Sequence, residues 1–396
     1  IIFGDGFKAE WNELAIKCAT ETLANNCDEV LGIFNNQDFW EFAERVKKAS
    51  TKDELSPEFS QFWELLKPEI RNNKTVLTSS NQIIIPSDAI FLDTKELING
   101  EKIFENLEMN IVHSDLRSRQ NLLLETGVQN LRLSDVCNSF IEKGFTQRQE
   151  MSSMPEGLKS LEGWEVLWEA IQDLWNRSYS SERQQSKELL KKISIAFGDD
   201  EALWPPTELF NADQHSRDFF SKISSVVWYQ EKSNNQSFLN ELIPQFTLGD
   251  GLNLLKDAED TLPELWKNEL FSPNEMLEWF EKHRYEINND SVQKIRELSI
   301  WPTANGELKP LTELYLAGDF DDPLRLAQLV DLDSLGGGRD LLERVLSVTQ
   351  LDFITYVRDW VPSILQHREL QLEEKFKLIR ILAENLGRLR DHQDIR

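Results

Sequence analysis

Histidine, cysteine and cationic side chains are the scarce components of this chain. Its 396 residues include five His and three Cys, and 43 Lys and Arg stand against 69 Asp and Glu, a formal charge of −26. The thiols, Cys18, Cys27 and Cys137, are odd in number and widely spaced, with no Cys-x-x-Cys pair. This excludes a disulfide frame and a thiolate zinc site, and fits small thiols in a reducing, cytoplasmic compartment. The cation deficit excludes a basic face for nucleic acid, and the same field opposes docking on anionic lipid. No apolar run reaches the length of a membrane span. Ile1-Ile2-Phe3-Gly4-Asp5-Gly6 has neither an initiator Met nor a basic stretch, so no signal peptide is read there. That start, with a tail that runs on in helical pattern through Leu389, leads to the expectation of a segment cut from a longer protein.

Motifs that carry chemistry are equally sparse. There is no GxxxxGK[ST] phosphate loop, no HExxH and no GxSxG elbow. His113-Ser114-Asp115 and Asp213-Gln214-His215 each bring a His near an acid, and either His is the base in an enzyme reading with a site between modules. In so acidic a chain such neighbours arise without function. His283 reads as a half-buried helix residue. Asp135 beside Cys137 raises a thiol pKa, against a reactive thiolate. Gly336-Gly337-Gly338 ahead of a helix is the one candidate anion-binding run, with a flexible link as the plainer reading. Asp319-Phe320-Asp321-Asp322 lacks calcium-loop spacing and reads as a solvated turn. Gly249-Asp250-Gly251 reads as turn chemistry. No catalytic, metal or cofactor site is expected in this segment.

Apolar residues make up 40% of the chain and Trp numbers twelve, enough for a sizeable core. Helical stripes run through Phe39, Phe42, Ala43 and Val46; through Phe59, Phe62, Trp63, Leu66 and Ile70 after Ser56-Pro57; and through Leu161, Trp164, Leu167, Trp168, Ile171, Leu174 and Trp175. Ser181-Glu182-Arg183-Gln184 and Ser272-Pro273-Asn274-Glu275 read as capping boxes. The tail repeats the stripe with Leu372, Phe376, Ile379, Leu382, Leu386 and Leu389. Trp228 and Trp360 are candidates for an exposed partner patch.

One pattern recurs three times. Pro86, Pro205 and Pro310 are each followed four residues on by an apolar residue (Ile90, Leu209, Leu314) and then by an aromatic (Phe91, Phe210, Tyr315). Each is preceded by a hairpin signal: Val76–Thr78 with Ile83–Ile85, Ile195–Phe197 with Ala202–Trp204, and Ser299–Trp301 with Glu307–Lys309. Each is followed by an apolar-x-apolar step: Leu131/Leu133, Phe246/Leu248 and Leu351/Phe353. An acid comes next in the first two, Asp135 and Asp250, and Thr355 in the third. Two motifs in one order at nearly constant offset predict modules in series. The expected fold is α+β, predominantly helical: repeated helical modules, each with a small β-hairpin, in an elongated array. The modules span residues 1–146, 147–260 and 261–360, and 361–396 opens a further one.

The stretch from Trp301-Pro302-Thr303-Ala304-Asn305-Gly306 through Lys309-Pro310-Leu311-Thr312-Glu313-Leu314-Tyr315 resembles the P-T-x-x-G-x-x-x-P-x-x-x-x-Y/F step of sacsin-type proteins. So does Gly127-Val128-Gln129-Asn130-Leu131-Arg132-Leu133-Ser134-Asp135, and Trp11-Asn12-Glu13-Leu14 is similar to the segment that follows their ATPase domain. The middle copy departs most, with Trp204-Pro205-Pro206 and no glycine turn. In that family a GHKL-type ATPase domain, akin to that of heat-shock chaperones, precedes long repeat regions. The resemblance implies a non-catalytic scaffold within an ATPase-linked chaperone or quality-control protein, with other proteins, or the rest of its own chain, as partners. The alternative is an arm of a microbial defence ATPase system.

Overall fold

The computed structural model describes residues 36–50, 56–92, 100–320, 322, 324, 325, 327–367 and 370–388. Cys18, Cys27, the Trp11–Leu14 stretch, Asp321, Leu389 and His392 lie outside the described residues, as do the side chains of Phe59, Phe62 and His367. The fold is predominantly helical α+β, with two-stranded sheets between the helices. The chain divides into two compact units, Ile1–Leu209 with Tyr229–Pro244 and Phe210–Trp228 with Gln245–Arg396.

Unit one holds helices α1 (Asn36–Ser50) and α2 (Ser56–Asn72), then strands β1 (Val76–Leu77), β2 (Ile83–Ile84) and β3 (Ile90–Phe91). Helices α3 (Glu101–Asn106) and α4 (Gln120–Thr126), strand β4 (Gln129–Asn130) and helix α5 (Leu133–Glu142) follow. Helices α6 (Leu161–Arg177) and α7 (Ser180–Leu190), then β5 (Ala196–Phe197) and β6 (Leu203–Trp204), complete it. Phe39, Trp40, Ala43 and Val46 of α1 share one core with Trp63, Leu66 and Ile70 of α2, as their three-four spacing requires. In α6 the stripe Trp164, Leu167, Trp168, Ile171, Leu174 and Trp175 is buried, whereas Leu161 at the helix start is exposed. Trp168 sits 5.7 Å from both Trp164 and Phe197 between ring centroids. The expected capping box at Ser181 is replaced: α7 starts at Ser180 with Tyr179 as its cap residue.

Unit two holds α8 (Gln214–Phe220), α9 (Leu248–Ala258), α10 (Leu262–Lys267), α11 (Pro273–Lys282) and α12 (Asn289–Glu297). Strands β7 (Trp301–Pro302), β8 (Leu308–Lys309), β9 (Leu316–Ala317) and β10 (Gln350–Leu351) come next, then α13 (Val361–His367) and α14 (Leu372–Glu384). One large core gathers Phe219, Phe220, Leu252, Leu255, Met276, Trp279, Phe280, Ile295 and Trp301. A smaller one gathers Leu351, Phe353, Tyr356, Val361, Ile364 and Leu378. Gly249-Asp250-Gly251 forms the first turn of α9 rather than a loop. A Cβ on Gly251 would overlap the indole of Trp279 and lie 2.9 Å from Phe220 Cζ, so only glycine admits this crossing.

The recurrent motif adopts one backbone ladder three times. In each hairpin the first strand enters a four-residue turn: the N–H groups of Thr78, Gly198 and Thr303 donate to the carbonyls of Gln82, Ala202 and Glu307 at 2.8–2.9 Å. The fourth turn residue is left-handed each time: Asn81 at φ 59°, Glu201 at 60° and Gly306 at 77°. Gly306 adopts this freely, while Glu201 holds it without glycine; the Asp200 carboxylate accepts the Ala202 N–H at 3.2 Å and the Trp204 indole N–H at 3.0 Å. The same turn residues bridge a later segment, in the pairs Thr78 with Val112, Gly198 with Tyr229 and Thr303 with Val330.

A single 3₁₀ turn follows each hairpin: Pro86–Asp88, Pro206–Glu208 and Leu311–Glu313. These place the first copy one residue out of the proline register. Ile85, Pro205 and Pro310 are the equivalent residues ahead of the turn, all extended, with φ of −70°, −59° and −73°. A proline's φ suits both the residue before the turn and its first position, so Pro86 at the first position copies the motif with a shift of one. Equivalent bridges then join Ile90 to Ile111, Phe210 to Trp228 and Tyr315 to Leu329. The aromatic Phe91 therefore matches Asn211 and Leu316, not Phe210 and Tyr315. Leu209 and Leu314 are buried and match Ala89 rather than the half-buried Ile90.

The second motif aligns without a shift. β3 pairs in parallel with β4, Asn211 bridges Gln245, and β9 pairs in parallel with β10. Leu131, Phe246 and Leu351 each end such an extended segment, and Leu133, Leu248 and Phe353 each open a helix. The recurrent acid is the cap. Asp135 accepts the Arg132 N–H at 3.0 Å, and Asp250 accepts the Thr247 N–H at 2.9 Å. In the third copy the acid has moved to the cap residue itself, where Asp352 accepts the Thr355 N–H at 2.7 Å. A further recurrence was hidden in the sequence: the indole N–H of Trp40 donates to the Thr75 carbonyl at 2.9 Å, and that of Trp168 to the Ile195 carbonyl at 3.0 Å. Both carbonyls lie three residues before the turn.

Candidate interaction surface

His113, Asp213, His283 and the glycine run are engaged in holding the fold. The Asp115 N–H donates to His113 Nδ1 at 3.3 Å, so the imidazole caps the short turn Ser114–Arg119. Asp213 makes no hydrogen bond to His215 Nε2. Its carboxylate accepts the backbone N–H groups of His215 and Ser216 at 3.0 and 3.2 Å and the Lys282 ammonium at 2.5 Å. These donors outweigh its partial desolvation and hold Asp213 far below the usual carboxylate range. Ser216 Oγ donates to Asp213 and accepts the Trp279 indole N–H at 3.2 Å, which makes the network a helix cap tied to α11. His215 Nε2 is buried without a hydrogen-bond partner among the described residues, and His215 lies in unit two while His113 lies in unit one. His283 is buried rather than half-buried, with Nδ1 2.9 Å from the Trp279 carbonyl. Burial, with Asp135 nearby, pushes the Cys137 thiol up to about 12, the opposite of an activated nucleophile.

The glycine run is a packed turn rather than a flexible link. Gly336, Gly337 and Gly338 all have positive φ, at 70°, 132° and 79°. The N–H of Gly336 donates to Asp333 and that of Gly337 to Leu332, at 3.1 and 3.0 Å, which leaves two of the three amides spent. A Cβ at Gly336 would overlap Asn274, and one at Gly338 would overlap Leu277, so the run is glycine because α11 presses against it. The helical segment behind it, Leu341–Val345, is a five-residue π-turn. Asp322 departs from the solvated-turn expectation: it is buried and accepts the N–H groups of Leu324 and Ala327 at 2.9 and 2.8 Å. No group of His, Cys, Asp and Glu among the described residues has the arrangement of a metal site, and no helix among them is long and apolar enough to cross a membrane.

The two expected patch tryptophans are not on the surface. Trp228 is 1% exposed in the large core of unit two, and Trp360 is half-buried beside Tyr315. An exposed apolar stripe lies instead on α14. Leu372, Phe376, Ile379 and Leu386 are 58–70% exposed, with Leu365 of α13 at 66%. Leu372, Phe376 and Ile379 follow three-four spacing and share one side of the helix, and Leu386 lies in the turn just past its end. Leu378 on the other side is buried in the small core, with Ile381 and Leu382 packed against it. Of the tail stripe read from sequence, Leu372, Phe376, Ile379 and Leu386 are exposed, whereas Leu382 packs against the small core beside Leu378.

No protein-family model, curated protein or solved structure matches the chain.

Proposed function

We propose that this chain is a non-catalytic interaction scaffold, the repeat segment of a sacsin-like, ATPase-linked chaperone or quality-control protein of the cytoplasm. The observation that carries the reading is the ladder built three times from unlike side chains, with the same turn, the same bridge to a later segment and the same capped helix start. Repetition of this kind builds surface rather than a single reaction centre. The occupation of His113, Asp213, Cys137 and the glycine run by structural contacts supports it further. On this reading the three modules are 1–146, 147–260 and 261–360, and the partners are proteins.

The test is suppression of aggregation. A heat-denatured client enzyme is followed by light scattering with and without a molar excess of the chain. Suppression without nucleotide, unchanged in the His113→Ala and His215→Ala variants, is expected. No suppression, or suppression that needs ATP or either histidine, sinks the reading.

A further inference from the structure

The second strand of each hairpin lies at the rim of its ladder. Leu77 pairs with Ile83, Phe197 with Leu203 and Pro302 with Leu308. The carbonyls of Leu77, Phe197 and Pro302 turn away from the hairpin and accept the N–H groups of His113, Gln230 and Asp331 at 2.8–2.9 Å. Antiparallel pairs of this kind share no hydrogen bond, so the N–H and C=O of Ile83, Leu203 and Leu308 point the other way, out from the sheet edge. Pro302, with no N–H to give, suits this pairing.

In the second copy that edge is filled. Gln149 bridges Leu203 in antiparallel sense, and the two residues exchange both backbone bonds at 2.8 Å. Arg148, one residue earlier, lies over the ring of Trp204 at 5.8 Å and donates to Asp200 at 2.9 Å. In the same stretch the Phe145 carbonyl accepts the Ser194 N–H at 2.9 Å. The third copy departs here. The N–H of Ser299, the counterpart of Ser194, donates instead to the Glu259 carboxylate at 2.7 Å, and the chain ahead of α11 coils into α10. Leu308 is left with neither outward backbone group bonded among the described residues, and Glu307 beside it is exposed. An edge strand with unpaired N–H and C=O groups is a template for a further strand.

We propose that the outer edge of β8 takes up an extended strand of a client protein, antiparallel, with an acidic, an apolar and a basic residue in that order from its N-terminus. This rests on the scaffold reading and names what the scaffold holds: extended segments rather than folded surfaces. By the geometry of the second copy, the apolar residue faces Leu308, the residue before it faces Lys309 and the residue after it faces Glu307. Glu307 and Lys309 form an ion pair at 3.8 Å beside the edge, so an acid and a base in that order complete an alternating square of charge. Leu308 packs half-buried against the large core, which favours an apolar neighbour on the same face. A second copy carries the same order in Glu307-Leu308-Lys309, but there two backbone bonds are set against the mutual repulsion of chains of charge −26. A short client segment escapes that repulsion.

The experiment uses the whole chain with two short threonine-rich peptides, one with a central Glu-Val-Lys and one with a central Lys-Val-Glu. Hydrogen exchange of residues 307–309, read by mass spectrometry with each peptide in large excess, reports occupation of the edge. The Glu-Val-Lys peptide is expected to slow exchange and to bind about fivefold more tightly than the Lys-Val-Glu peptide. N-methylation of its valine removes the donor aimed at Leu308 and is expected to abolish binding. N-methylation of the following lysine, whose N–H points away, is expected to leave binding in place. Glu307→Lys with Lys309→Glu, whose fold is checked by circular dichroism, is expected to reverse the preference. No protection by either peptide, equal protection by both, binding that survives valine N-methylation, or no reversal overturns the proposal. Protection that grows with chain concentration in the absence of peptide, the signature of a second copy on the edge, overturns it too. Failure here with client suppression intact removes this inference alone; loss of client suppression removes the scaffold reading.

Discussion

Truncating Leu131, Phe246 and Leu351 to Ala, one at a time, tests whether the three copies are physically equivalent. Each side chain ends an extended segment beside a capped helix, but their surroundings differ. Leu131 and Leu351 are 6% and 1% exposed, so each loss is a buried-leucine truncation of about 2–5 kcal/mol. Phe246 is half-buried, which lowers its transfer contribution, yet its ring lies 5.6, 5.0 and 5.1 Å from those of Phe210, Phe220 and Trp228. Edge-to-face pairs add roughly 0.5–1.5 kcal/mol each beyond burial, so about 2–4 kcal/mol is expected there as well. Because the chain has two compact units, a single melting temperature mixes them. Hydrogen exchange resolved along the sequence avoids this. Leu131→Ala should raise exchange in unit one; Phe246→Ala and Leu351→Ala should raise it in unit two. Losses below about 1 kcal/mol at two of the three positions would refute the equivalence, since substitutions away from buried features stay near that limit.

Gly251→Ala should destabilise unit two by about 1–2 kcal/mol, because overpacking against Trp279 outweighs the gain in helix propensity of roughly 1 kcal/mol; urea unfolding followed by Trp fluorescence reads it. Glu125 accepts the Lys47 and Lys67 ammoniums and the Trp63 indole N–H, and although partial burial raises its pKa, these donors leave the carboxyl below its usual range. A folded pKa lowered in this way gives stability that is present above the unfolded value of about 4.3 and is lost as pH falls through the folded one. Glu125→Gln should therefore cost about 1 kcal/mol at neutral pH, and the gap to the wild type should close in acid; a pH-independent gap contradicts the assignment. Cys137 should resist alkylation at pH 8 in the folded chain and react on denaturation, with peptide mass spectrometry locating the label.

Local signals in the sequence were read well where a short stretch decides its own conformation. The hairpins, the helix start at Ser272 and the buried stripes of α1 and α6 follow from turn chemistry and three-four spacing, which act within a few residues. The register of the first copy was misread because proline satisfies two adjacent backbone positions equally, and Pro205-Pro206 holds both at once. The glycine run was read as a link because nothing in Gly336-Gly337-Gly338 announces Asn274 and Leu277, some sixty residues earlier, pressing on it. Gly251 was misread for the same reason, through Trp279.

The amino-acid order alone determined that this chain is mainly helical, acidic and threefold recurrent, because periodicity, charge and turn residues are properties of neighbours along the backbone. Tertiary structure decided which of two apolar stripes on α14 is buried. Leu378 and its neighbours meet the small core, so Phe376 and Ile379, equally apolar, are left outside. Burial depends on what a distant segment brings to the surface, and a helix with apolar residues on both sides carries no internal instruction for that choice.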